Sequence, residues 1–283
     1  MIRFETPHSR ESHEERSRAQ GEKIVKFKVL GSVGVESGGR FHGISGSRQR
    51  TLLASLLVST GRPVPAPQLY TELWGENPPP TVENSLQAHV YRLRRTLHGL
   101  ADGTSEPPPL ITRASGYVLD IRPEDLDLNA FREHTARARA AAPHHPHVAY
   151  ASLEEALNLW RGSPLQDVAA GPLCQSVTLQ LEEEYLSTLE EKLSLGIDCD
   201  DPVRVIGELK RVSTVHPWRE RVTEMLMLAL YRCGRQAEAI EAYNRVRSRL
   251  VDELGMEPSQ QLEQRFREVL NQAPSLRLTP VAR

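Results

Sequence analysis

The sequence predicts a mostly α-helical protein in two parts, a small mixed α+β region followed by an all-helical one. Three observations carry this. The alternating stretch KFKVLGSVGVE (26–36) and the short runs LITRA (110–114) and YVLDI (117–121) have strand patterns. Between them, three helical patterns arrive in succession. From Leu126 onward apolar residues recur only at helical spacing, over about 126–142, 148–160, 173–195, 202–215, 218–233, 235–253 and 259–271.

The first 22 residues, with ESHEERSRAQGE, alternate in charge and have almost no apolar content, so they are expected to form a disordered tail. Strand patterns broken by Gly31 and Gly34 follow, giving one or two short strands, with SGGR (37–40) as a turn. These glycines are no phosphate loop, because neither GxGxxG nor GxxxxGK[ST] occurs in the chain. From Ser47 a first helix turns Leu52, Leu53, Leu56 and Leu57 inward, until Gly61 and Pro63 stop it. A second spans roughly Pro67 to Trp74, closed by Gly75. Past GENPPP, Thr81 stands as the N-cap of a third helix running to about His98. LITRA and YVLDI then pair as a hairpin joined at Ser115 and Gly116.

Strands, three helices and a terminal hairpin describe a winged helix-turn-helix. In its third helix, NSLQAHVYRLRRTL (84–97), Leu86, Val90, Leu93 and Leu97 share one face. Asn84, Ala88, Tyr91 and Arg95 point the opposite way, with Gln87 and Arg94 on one flank and Arg92 on the other. Arginine pairs guanine, and asparagine or glutamine pairs adenine, in a major groove. This outer face is therefore read as a DNA-contacting surface, against the plainer reading of a solvated face with salt bridges to Glu83 and its neighbours. Arg92 or Arg94 could equally hold phosphate alone.

Charge follows the same division. Lys23–Arg122 carries 12 basic against 7 acidic residues, residues 123–283 carry 19 against 25, and the first 22 carry 4 against 5, for a net −2. The surplus in one part suits a polyanion. At 283 residues, 39% hydrophobic and 25% charged, the chain is an ordinary globular protein of two domains. Its longest apolar run, LLASLLV (52–58), is far short of the roughly 20 residues that a membrane span needs. With no apolar N-terminal signal segment either, a cytoplasmic location without membrane contact is expected. Cys174, Cys199 and Cys233 lack zinc spacing and suit a reducing compartment.

In the helical part, LALYRCGRQAEAIEAY (228–243) has the small and aromatic placement of a tetratricopeptide-like hairpin, with Gly234 at the turn and Ala239 and Tyr243 on the packing side. Such repeats stack into surfaces that bind protein. His144, His145 and His147 lie between prolines without partner ligands, so no metal is expected. Glu154, Glu155 and Glu182–Glu184 fit solvated helix faces, and Tyr231 and Tyr243 fit packing positions. No catalytic residues and no cofactor are assigned, so the protein is not expected to be an enzyme. Trp74 reads as a core anchor, with a phosphate contact through its indole N–H as the alternative.

Four stretches together resemble a known family: TVENSLQAHVYRLRRTL (81–97), LYTELWG (69–75), ITRASGYVL (111–119) and HPWRERVTEMLMLALYRCGRQAEAIEAYNRVRSRLVDELGMEPSQQL (216–262). They are similar to the Streptomyces antibiotic regulatory proteins, which join an OmpR-type winged helix to a bacterial transcriptional activation domain. The resemblance covers about residues 25–272 and implies a winged-helix domain at 23–122, an activation domain at 123–272 and a C-terminal tail at 273–283. It also implies an activator that binds direct repeats of double-stranded DNA near promoters as a side-by-side homodimer. Such an activator contacts RNA polymerase holoenzyme to raise transcription of a secondary-metabolite (antibiotic) gene cluster. By position, Asn84, Gln87, Tyr91, Arg92, Arg94 and Arg95 would face the groove or its walls. Arg48 and Arg50 would approach phosphates, and Arg113 in the wing would reach the adjacent minor groove. Two departures are visible: the second helix begins PAPQL without a capping serine or threonine, and the wing tip is ASGY.

Larger family members add an ATPase module and sensor repeats; this chain resembles the small two-domain form, so no nucleotide switch is expected. A receiver domain of two-component type is not expected either, because no alternating strand and helix pattern provides one. Two other readings stay open on the sequence, a repressor or ligand-responsive regulator with the same DNA contacts, and a tetratricopeptide-like scaffold. Under the division at 122/123, removing residues 123–272 is expected to leave DNA binding and weaken activation.

Overall fold

The computed structural model describes residues 25–100, 109–169, 171–198 and 202–276. The expected tail at 1–22, most of the loop GLADGTSEPPP, Cys199 and the end of the C-terminal tail lie outside the described residues. By contact, the chain divides into one unit of Met1–Glu133 with Asn158–Glu184 and a second of His134–Leu157 with Tyr185–Arg283. The expected boundary at 122/123 falls inside the first unit.

The first unit opens with an antiparallel sheet of β1 (Val25–Lys28), β2 (Gly34–Ser37) and β3 (Arg40–Gly43), in that order. Phe27 pairs with Val35 across the first ladder and Val35 with His42 across the second. Gly38 and Gly39, at φ 57° and 74°, make the two-residue turn whose left-handed backbone matches strand twist. The sequence pattern announces the turn but not β3, whose residues are mostly exposed and so lack apolar alternation.

Helix α1 (Ser47–Val58) is the centre of this unit, with every residue from Thr51 to Leu57 buried. Against it pack α2 (Ala66–Trp74) and α3 (Val82–Leu100). Leu86, Val90, Leu93 and Leu97 form the buried stripe of α3, and full burial of one such side chain contributes about 1.5–3 kcal/mol. Helix α2 starts after Pro65 with no side-chain cap, and prolines at its start have no N–H to leave unsatisfied. Strands β4 (Leu110–Arg113) and β5 (Gly116–Leu119) form the wing, with Arg113 opposite Gly116.

Residues beyond Arg122 complete the unit. After a short 3-10 turn (Pro123–Asp125), α4 (Asp127–Ala141) begins with a buried carboxylate. Asp127 accepts hydrogen bonds from the backbone N–H of Val29 at 2.9 Å and of Leu30 at 3.3 Å. Burial pushes its carboxyl up, while those two bonds pull the other way. The Arg161 N–H donates to the Leu30 carbonyl at 2.9 Å, and the Val33 N–H to Asp167 at 2.8 Å. Arg50 donates to the Asp167 carbonyl at 2.9 Å, and the Thr51 hydroxyl to the Ala169 carbonyl at 3.2 Å. Phe131 and Trp160 meet edge to face at 5.3 Å.

The second unit begins its helices with α5 (Pro146–Asn158), and α6 (Pro172–Asp198) starts within the first unit. The first N–H groups of α6, those of Leu173 and Cys174, donate to the buried carboxylate of Glu72 on α2 at 2.6 and 3.4 Å. Cys174 itself is buried 3.6 Å from the Ser55 hydroxyl, and burial pushes its thiol up to about 12. Hydrogen bonds to charged groups contribute ~1.5–3 kcal/mol each. A piece ending at Arg122 would lack these partners of the Val29, Leu30 and Val33 N–H groups and of Glu72.

Helices α7 (Pro202–Val215), α8 (Glu220–Arg232), α9 (Gln236–Arg249) and α10 (Gln260–Leu270) form the second unit's core, each packing on its sequence neighbour and α10 also on α8. A single π turn (Leu250–Leu254) extends α9. Ala239 is fully buried, and Tyr243 stacks on Phe266 with rings 3.9 Å apart and 9° from parallel. This is the tetratricopeptide-like packing expected from Gly234, Ala239 and Tyr243. Among the described residues no helix is long and apolar enough to cross a membrane.

Candidate nucleic-acid interface

With its stripe of leucines buried, α3 turns its other face out. Asn84, Gln87, Tyr91, Arg92 and Arg95 are exposed, Tyr91 by 67%, too much for a core aromatic. Among the described residues, Arg92 and Arg95 have no carboxylate within 4.0 Å, and Glu83 is the acid in the helix's first turn. Arg113 likewise stands exposed and uncompensated at the last position of β4, just before the Ala114–Ser115 turn.

The other three expected residues are engaged with the protein. Arg94 is half-buried, its Nε donating to the Leu110 carbonyl and its Nη2 to the Thr112 hydroxyl, both at 2.8 Å. Arg50 bonds the Ile44 carbonyl at 3.0 Å as well as Asp167, so it braces the frame. Arg48 is exposed, with its Nε 3.4 Å from the Leu73 carbonyl and its guanidinium 5.9 Å from the Trp74 ring.

An open depression of about 620 Å³ adjoins this face. The first turn of α1, Arg92 and Ala169 line it, with Gln49 and His89 between them. Gln49 Nε2 lies 2.9 Å from His89 Nδ1 and 3.2 Å from the His89 carbonyl, tying α1 to α3. Burial, with Arg92 and Arg48 nearby, holds His89 below the ordinary histidine value. Trp74 packs edge-on to His89 at 5.8 Å and is half-buried, an anchoring position.

Sequence reasoning missed Glu72, Gln49 and His89. Glu72 left one trace, an acid on the same inward stripe of α2 as Leu69 and Leu73; its partners lie a hundred residues on, where periodicity cannot reach. Gln49 and His89 sit between inner and outer stripes, where spacing assigns neither role. Among the described residues no group of three His, Cys, Asp or Glu gathers as metal ligands.

A winged helix with an uncompensated basic recognition helix, joined to tetratricopeptide-like hairpins, defines a transcription regulator with an OmpR-type DNA-binding domain. The family model "Transcriptional regulatory protein, C terminal" matches residues 45–119, and "Bacterial transcriptional activator domain" matches residues 126–270. The chain is 37% identical over 254 residues to the transcriptional regulator RedD of Streptomyces coelicolor, covering 90% of this chain and 73% of RedD. It is 33% identical to the regulatory protein DnrI of Streptomyces peucetius, covering 81% of this chain and 86% of DnrI. The solved structure of Mycobacterium tuberculosis EmbR in complex with a low-affinity phosphopeptide matches with a TM-score of 0.83 at 32% identity. That match covers 89% of this chain and 66% of the EmbR chain, so this chain spans just under two thirds of EmbR. The chain belongs to the Streptomyces antibiotic regulatory protein family of transcription regulators.

Proposed function

We propose that this regulator is a sequence-specific activator. Two copies bind direct repeats near a promoter side by side, with α3 in the major groove, and the helical unit recruits RNA polymerase holoenzyme. The genes served are those of a secondary-metabolite cluster, in keeping with the family. One observation carries the DNA reading, an exposed face of α3 on which Arg92 and Arg95 stand beside Asn84 and Gln87 with no carboxylate partner among the described residues. Uncompensated guanidiniums keep displaceable counterions, the source of salt-dependent affinity for a polyanion, with a slope of about −0.9 per phosphate contacted.

In this reading Asn84, Gln87, Tyr91, Arg92 and Arg95 meet the groove, Arg48 in the first turn of α1 meets phosphate, and Arg113 reaches the minor groove. Selection of bound sequences from a random duplex library, using the purified full chain, tests it. The expected product is one motif in direct repeat, about one helical turn apart, lost in an Arg92→Ala, Arg95→Ala double variant. Absence of any enriched motif would sink the reading in favour of a protein-binding scaffold. Transcription with purified polymerase on the selected site then separates activation from repression by the sign of the change.

A further inference from the structure

We propose that Arg94 is a positioning residue, which locks the wing to the recognition helix and so sets where Arg113 meets DNA; the proposal rests on the DNA reading above. Its Nε and Nη2 lie on one edge of the guanidinium and take two acceptors two residues apart on one strand, the Leu110 carbonyl and the Thr112 hydroxyl. A planar fork matches such a pair, and a lysine ammonium cannot reproduce it. Thr112 is the immediate neighbour of Arg113 in β4.

A two-stranded ribbon has little stability of its own, so external bonds set its pose. Among the described residues, hydrogen bonds from outside the wing reach both of its strands. On β5, Tyr117 exchanges backbone hydrogen bonds with Val64 at 2.8 and 3.0 Å. There Gly116, at φ 138°, lets the chains close, since a Cβ would lie 2.1 Å from the Val64 carbonyl. Arg94 supplies the anchor on β4, and its two bonds join the wing to the helix that carries Arg92 and Arg95. Both acceptors are neutral, so Arg94 keeps its charge while its donors are directed at the protein.

A double-mutant cycle with Arg94→Ala and Arg113→Ala in the full chain, titrated against the selected duplex, tests this. Each single variant is expected to weaken binding about tenfold, and the double variant by about the same tenfold. Arg94→Lys should behave like Arg94→Ala despite its charge. Thr112→Val, which removes one acceptor and spares the core, should show a smaller loss that vanishes in the Arg113→Ala background. A hundredfold loss in the double variant, or full activity of Arg94→Lys, would overturn the proposal while leaving the DNA reading intact. A wild-type chain that binds no duplex would overturn both.

Discussion

Arginine is common in both units, but it is handled in opposite ways. Around α9 and α10, Arg235, Arg245, Arg247, Arg249, Arg265 and Arg267 each reach a glutamate at 2.7–3.0 Å. Most of these pairs are three or four residues apart, the spacing at which helical side chains meet. On α3 and the wing, Arg92, Arg95 and Arg113 have no such partner among the described residues, and Arg94 bonds only neutral oxygens. Exposure does not separate the two sets; compensation does. A solvated helix face neutralises itself within a turn, whereas a face that meets a polyanion leaves its charge open for the phosphates.

The strongest way to break this contrast is to cut the chain. If the basic region were a self-sufficient body, residues 1–122 would melt cooperatively; the bonds from Asp127, Asp167 and the 161–174 segment predict that they do not, as circular dichroism would reveal. Next, Glu72→Ala strips the start of α6 of its acceptor and should lower stability by about 2–3 kcal/mol, read as a fall in the denaturation midpoint. Arg92→Ala and Arg95→Ala should each cost about 1–3 kcal/mol in binding the selected duplex while leaving the melting temperature in place. Arg249→Ala, on the neutralised face, should shift stability by only ~0.3–0.5 kcal/mol and leave DNA affinity unchanged. Smallest is a pH effect. Arg235 and Lys210 hold the Glu238 carboxyl down at about 2, so its small stabilisation is present above the ordinary glutamate value and fades as pH falls toward 2. A flat stability profile over that range would show the pair to be fully screened.

Much of this was legible in the sequence because it was local. The stripe of Leu86, Val90, Leu93 and Leu97 fixed which face of α3 points out, and Gly75, Gly116 and Gly234 punctuated elements where expected. Strand β3 escaped because four pleated residues without apolar alternation give no signal. Long-range pairing escaped altogether. Nothing near Arg50 or Arg94 says that their guanidiniums are bonded to Asp167 and Leu110, and on a helical wheel they look as available as Arg92 and Arg95. Spacing tells which way a side chain leaves its helix, not what waits there.

Cys174 gives the basic unit an internal clock. Nucleophilic attack requires a thiolate, and a thiol held at about 12 behind α1 is almost never one at neutral pH. Alkylation of this sulfur therefore waits for the seam between α1 and α6 to open, and pulsed labelling read by mass spectrometry would time that opening, with and without bound duplex.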